Sequence, residues 1–129
     1  MTAADTNLVV RLLTQDDKKQ AAIANTIFAT QEVWIAKTVL LETCWVLESV
    51  YGFSSTNVRG ALLLLVGLPN VRLEDDEAVV PAIELMAKGL EFADGLHLMS
   101  RPDRATFVSF DKILMQSARH AGIGGVESR

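Results

Sequence analysis

Apolar residues along this chain alternate between helical spacing and short unbroken runs. Leu8, Val9, Leu12 and Leu13 recur at the 3.6-residue period of an amphipathic helix. Before them, Thr2 to Ala4 is a short segment of small residues ending at Asp5, read as the first strand. Asp16 and Asp17 open a second helix, where carboxylates suit the N-terminal dipole, with Ala21, Ala24, Ile27 and Phe28 on its apolar face. Val33, Trp34 and Ile35 form a short run within Glu32 to Ala36 that predicts a second strand. Thr38 is expected to cap a long helix running to about Tyr51 and stopped by Gly52. Ser54-Ser55-Thr56 opens another helix through Leu68. Pro69 and Asn70 then turn the chain into a third strand, Val71 to Leu73.

The second half repeats the alternation. Glu74-Asp75-Asp76-Glu77 leads into a helix through about Lys88, with Pro81 expected in its first turn and Gly89 as its stop. A shorter helix is expected from about Phe92 to Met99. Thr106 to Phe110 predicts a fourth strand ending at Asp111, and Lys112 to His120 a last helix. Gly122 to Val126 is expected to add an edge strand. Most strands are short and apolar throughout, which predicts an α/β fold whose parallel sheet is covered on both faces. With no repeat, linker or low-complexity tract, residues 1–129 read as one domain. Sites in such folds lie at the carboxyl ends of the strands.

Composition narrows the function. The 129 residues are half hydrophobic, enough for a sizeable core, so disorder of the whole chain is excluded. The longest apolar run, Ala61 to Leu68, is far short of the ~20 residues a spanning helix needs, so no membrane association is expected. The first seven residues hold no basic stretch and no apolar segment; no signal peptide is expected and a cytoplasmic location is the default. The single cysteine, Cys44, cannot form an intrachain disulfide and reads as a small buried apolar residue. The formal charge of −4 does not suit a broad basic nucleic-acid face. It is compatible with acids committed to a metal site.

Four acids stand out. Asp5 and Asp111 follow the first and fourth strands, and each would also make a good N-cap. Glu42 has Thr38, Val39, Trp45 and Val46 one helical turn away, which predicts a carboxylate on an apolar face needing a partner or a cation. Asp94 lies among apolar residues, with His97 one turn on. Two carboxylates about 5 Å apart repel by roughly 3 kcal/mol at an effective dielectric of about 20. A cluster of four would therefore need protons or cations to persist at neutral pH. All-oxygen ligation suits Mg²⁺ or Mn²⁺, and such ions orient and activate water in phosphodiester hydrolysis. Trp34 and Trp45 read as core, and His97 as a packed helix residue.

Taken in order, Asp5-Thr6-Asn7-Leu8-Val9-Val10-Arg11, Leu40-Leu41-Glu42, Phe92-Ala93-Asp94-Gly95-Leu96-His97-Leu98 and Phe107-Val108-Ser109-Phe110-Asp111 resemble a PIN domain. The resemblance is to VapC-type toxins of toxin–antitoxin pairs and spans essentially the whole chain. It implies a PIN-like three-layer α/β/α fold with a short, mostly parallel sheet of order 3-2-1-4-5. It also implies a Mg²⁺- or Mn²⁺-dependent endoribonuclease that hydrolyses RNA phosphodiester bonds. Carried over, Asp5, Glu42 and Asp94 are the core metal-site acids and Asp111 the fourth, while Thr6, Asn7 and Ser109 are hydrogen-bonding neighbours. Ser109 stands where many relatives have Thr, and Gly95 where Ala is usual. The resemblance further implies a homodimer and a cognate antitoxin as partners.

The residues add surfaces compatible with partners. Leu62 to Val66 and Leu68 are apolar almost all round their helix, which predicts burial in the core, with or without a partner interface. Arg11, Lys37 and Lys112 are candidates for RNA phosphates, or ordinary surface and ion-pairing residues. Three other readings compete. A receiver-like signalling domain needs an Asp ending the third strand, where this chain has Glu74. A haloacid-dehalogenase-like phosphatase needs a second Asp where Asn7 stands. A catalytically silent PIN-fold binding module would keep the architecture without the reaction.

Overall fold

The computed structural model describes residues 1–129. The chain is mixed α/β and divides into two compact units, Met1–Asp76 and Glu77–Arg129.

In the first unit, β1 (Thr2–Ala3) leads through α1 (Thr6–Thr14) and α2 (Lys18–Thr30) to β2 (Val33–Ile35), and α3 (Lys37–Ser49) and α4 (Ser55–Val66) lead to β3 (Val71–Leu73). The three strands are parallel with β2 in the middle; Thr2 pairs with Val33, and Val33 in turn with Val71. Val33 and Ile35 are fully buried, as expected where helical crossovers cover a parallel sheet; Trp34, expected in the core, is only half-buried. Side-chain caps set the helix starts. Asp5 accepts the Leu8 N–H at 3.0 Å, Asp17 the Gln20 N–H at 2.9 Å and Ser54 the Asn57 N–H at 3.1 Å. Each such cap is worth about 1 kcal/mol.

The start of α3 departs from expectation. Thr38 is not its cap; Ala36 occupies that position without a side-chain bond. Instead Glu74, just past β3, accepts the Lys37 N–H at 2.9 Å, and Lys37 Nζ pairs with Asp75 at 3.0 Å. A carboxylate 37 residues away in sequence thus serves a helix N-terminus, which local sequence reading does not detect. At the other end, Gly52 adopts φ +70°, and the Phe53 N–H reaches back to the Leu47 carbonyl at 2.9 Å.

The second unit takes up α5 (Asp76–Met86), followed by α6 (Phe92–Met99), β4 (Phe107–Ser109), α7 (Lys112–His120) and β5 (Val126–Ser128). Pro81 lies inside α5, beyond its first turn. It leaves one helical hydrogen bond unmade, yet Ala78, Val79, Ala82 and Ile83 around it are buried, and their packing outweighs the loss. Gly89, at φ +95°, ends the turn after α5. β4 and β5 form a parallel pair, Phe107 beside Val126. The edge strand therefore falls at Val126–Ser128 rather than Gly122–Val126. Gly122 and Gly125 have positive φ and make a loop held by Arg101, whose guanidinium donates to the Gly124 and Gly125 carbonyls, each at 2.8 Å. Leu85, Leu90, Leu98, Leu114, Met115 and Ala118 form this unit's core, with Phe107 and Val126 packed against it.

The expected single sheet of order 3-2-1-4-5 is not formed as one sheet. Its parts are present as a 3-2-1 sheet and a separate 4-5 pair. The strands are two or three residues long, so each offers few ladder bonds. β1 in particular gives way to α1 at the Asp5 cap after two residues.

The α4 leucines divide by face. Leu62 and Leu65 are fully buried, whereas Leu64 is 65% exposed. Leu65→Ala should therefore destabilise the protein by about 2–5 kcal/mol, and Leu64→Ala by no more than about 0.5 kcal/mol. Urea denaturation of both variants checks this; equal losses would contradict the assignment of faces.

Candidate acid sites

In the first unit, Asp5 is exposed at the end of β1 and caps α1 through Oδ1. The cap engages one carboxylate oxygen and leaves Oδ2 for another partner. Asp5 lines a cavity of about 220 Å³ with Asn7, Leu8, Arg11, Gln20 and Ile23. Asn7 thus lies beside Asp5. Arg11 is not a free cation: it donates to Gln20 at 2.7 Å and to the Tyr51 hydroxyl at 2.9 Å, and it pairs with Asp16 at 3.4 Å. The Tyr51 hydroxyl in turn donates to Asp16 at 2.6 Å. That bond, with a second from Thr14 and the nearby Arg11 charge, holds the Asp16 carboxyl below its usual pKa.

Glu42 is exposed rather than buried, which corrects the expectation of a desolvated carboxylate. Of its helical neighbours, Thr38 and Trp45 are exposed and Val39 and Val46 only half-buried, so the face is apolar in composition but lies at the surface. Trp45, expected in the core, is 63% exposed. The buried Thr6 hydroxyl donates to Glu42 Oε1. Thr6 directly follows Asp5, so this bond ties Glu42 on α3 to the first turn of α1. Glu42 lines a shallow cavity with Thr6, Thr38 and Val39. Cys44, on the same helix, is buried as expected, and burial, helped by the Glu48 charge, pushes its thiol up to about 12.

In the second unit, Asp94 sits half-buried in the first turn of α6. Asp111 caps α7, accepting the Leu114 N–H through Oδ1 at 2.9 Å. Its own N–H donates to Ser109 Oγ at 3.0 Å, closing a tight turn from β4 into the helix. Asp94 and Asp111 line one cavity of about 140 Å³, with Gly89, Leu90, Glu91, Ile113, Leu114 and Ser117. Three carboxylates and no basic side chain line it, so its potential favours a cation. Glu91, the third acid, is the N-cap residue of α6, three residues before Asp94, and no motif in the sequence marks it as a site residue. His97 is exposed rather than packed. Lys112, beside Asp111, is exposed.

The donors available are hard carboxylate and hydroxyl oxygens, which fit Mg²⁺ or Mn²⁺ better than zinc. Neither unit gathers three or more His, Cys, Asp or Glu side chains into a group able to hold one ion. Gly95, next to Asp94, is buried, and a methyl there would meet Ala82 of α5 at 3.4–3.5 Å, ordinary contact distance.

Gly95→Ala should fit without displacement and raise stability by about 0.5–1 kcal/mol through helix propensity; a lower melting temperature would contradict it. Because Asp16 is depressed in the folded state, its stabilising effect is present above its unfolded pKa and is lost as pH falls through the lower, folded value. Tyr51→Phe should move the Asp16 midpoint upward in a carboxyl NMR titration, and an unchanged midpoint would rule out the Tyr51 bond as its main cause.

Comparison of the chain with protein-family models, with curated proteins and with solved structures gives no match.

Proposed function

We propose that the protein is a metal-dependent endoribonuclease of the PIN type, acting as the toxin of a toxin–antitoxin pair. The observation that carries this reading is the acid-lined cavity where Asp94 and Asp111 meet at the ends of α6 and β4. The order of acid-bearing segments along the chain supports it, as does the pairing of hydroxyls with acids: Thr6 with Glu42, and Ser109 with the Asp111 main chain.

Asp5, Glu42, Asp94 and Asp111 are the metal-site acids of this reading. A bound Mg²⁺ or Mn²⁺ would supply an activated water and stabilise the departing oxygen of the phosphodiester. Asp94 and Asp111 contribute carboxylate oxygens, and Asp111 does so with Oδ2 while Oδ1 keeps α7 capped. Thr6 holds the Glu42 carboxylate in one orientation, and Ser109 fixes the backbone that presents Asp111. A homodimer and a cognate antitoxin belong to the same reading, with the exposed Leu63 and Leu64 as apolar surface for a partner. The receiver-like alternative is disfavoured because the acid after β3, Glu74, caps α3.

The test is cleavage of a defined structured RNA by purified protein with Mn²⁺ or Mg²⁺, with and without chelator. Loss of an outer-shell partner of a metal typically costs roughly 10–100-fold, so Asp94→Asn and Asp5→Asn should each lose about 100-fold or more. Cleavage that survives chelator, or that both variants retain, would overturn the proposal.

A further inference from the structure

Four large hydrophobic side chains are exposed in the second unit: Val80, Val108, Phe110 and Ile113. Three of them lie within six residues that bracket Asp111. β4 alternates as a strand does: Phe107 turns into the unit's core and Val108 faces outward, 50% exposed; Phe110, in the bend just past the strand, is 86% exposed. Ile113, 77% exposed, lines the same cavity as Asp94 and Asp111.

The backbone around Phe110 is fixed although its ring is free. The Arg129 N–H donates to the Ser109 carbonyl at 3.1 Å, the Asp111 N–H to Ser109 Oγ at 3.0 Å, and the Leu114 N–H to Asp111 Oδ1 at 2.9 Å. Phe110 is the middle residue of that turn. With the backbone pinned, binding would have only the ring's own rotamers left to order. Phe110 stands one residue before an acid of the cavity, Asp111, and two before an exposed lysine, Lys112. A ring and a cation beside an acid-lined cavity match two features of a single strand: a base that stacks and a backbone phosphate that pairs with an ammonium.

We propose that Phe110 is a positioning residue on which one nucleobase of single-stranded RNA stacks, so that the adjoining phosphate is presented at Asp94 and Asp111, with Lys112 on the backbone. The inference rests on the ribonuclease reading and adds to it a base-stacking platform at Phe110. A duplex keeps its bases stacked on one another and unavailable to the ring.

The test measures binding of a labelled single-stranded RNA decamer by fluorescence anisotropy, with Ca²⁺ as the cation, beside the cleavage assay in Mn²⁺. Phe110→Ala should weaken binding about 10-fold, within the roughly 5- to 150-fold span of base–aromatic stacking, and Phe110→Tyr should restore it. An RNA with an abasic residue at the stacked position should bind the wild type and Phe110→Ala equally. The exposed ring contributes little to folding, and matched circular dichroism melts of all three proteins verify this. Equal RNA binding by wild type and Phe110→Ala overturns the platform and leaves the nuclease reading intact. Binding that depends on Phe110 without any cleavage upholds the platform and removes the nuclease reading. No RNA binding by the wild type overturns both. A change in sedimentation on Phe110→Ala, with RNA affinity unchanged, would assign the ring to a protein interface instead.

Discussion

Two strands of this protein end on a carboxylate that starts the next helix. Asp5 closes β1 and caps α1; Asp111 follows β4 and caps α7. A helix N-terminus exposes unsatisfied N–H groups and a partial positive charge, and one carboxylate oxygen meets both. The geometry of the candidate acid sites depends on this choice. Each cap fixes its side chain by one oxygen at about the position where the strand ends, and leaves the second oxygen facing solvent. Capping uses one oxygen of the carboxylate, so the metal ligation we propose would fall to the other.

The hydroxyls around these acids extend the same logic. Ser109 bonds the Asp111 N–H and so shapes the turn that delivers the carboxylate. Thr6, one residue past Asp5, reaches Glu42 on a different helix. A carboxylate on an exposed helix face has many rotamers; one hydrogen bond from a buried hydroxyl removes most of them. Asp5, Glu42 and Asp111 are thus oriented by the fold's own hydrogen bonds, at a cost in conformational entropy that is met during folding. Arg11 belongs to a separate structural network with Asp16, Gln20 and Tyr51, which ties the α1–α2 turn to the end of α3.

Much of this was legible in the sequence where the signal is local. The Asp17 and Ser54 caps, the Gly52 and Gly89 stops and the bounds of α6 and α7 follow from residues within one turn of the feature. Non-local features were not. The Glu74 cap of α3 joins two strand ends, so Thr38 looked like the natural choice. Glu42 seemed buried because its helical neighbours are apolar in type, and only the packing reveals that Trp45 and Val46 do not cover it. The leucine run of α4 carries no period that separates Leu62 and Leu65 from Leu63 and Leu64. Pro81 was placed by its backbone preference, which the burial of four neighbouring apolar residues overrode. The division of the strands into two sheets reflects strand lengths of two or three residues, at which pattern says little about pairing.

The central claim is that the capping acids also serve a divalent cation. Paramagnetic broadening of backbone amide resonances on titration with Mn²⁺ tests it most directly, because it reports residue by residue and needs no substrate. The account predicts broadening at low Mn²⁺ around Asp94 and Asp111 and around Asp5 and Glu42, removed by excess Mg²⁺, with the Asp94 and Asp111 signal absent in Asp94→Asn. Broadening confined to other surface carboxylates, such as Glu127 or Glu84, with these four unaffected, would contradict it.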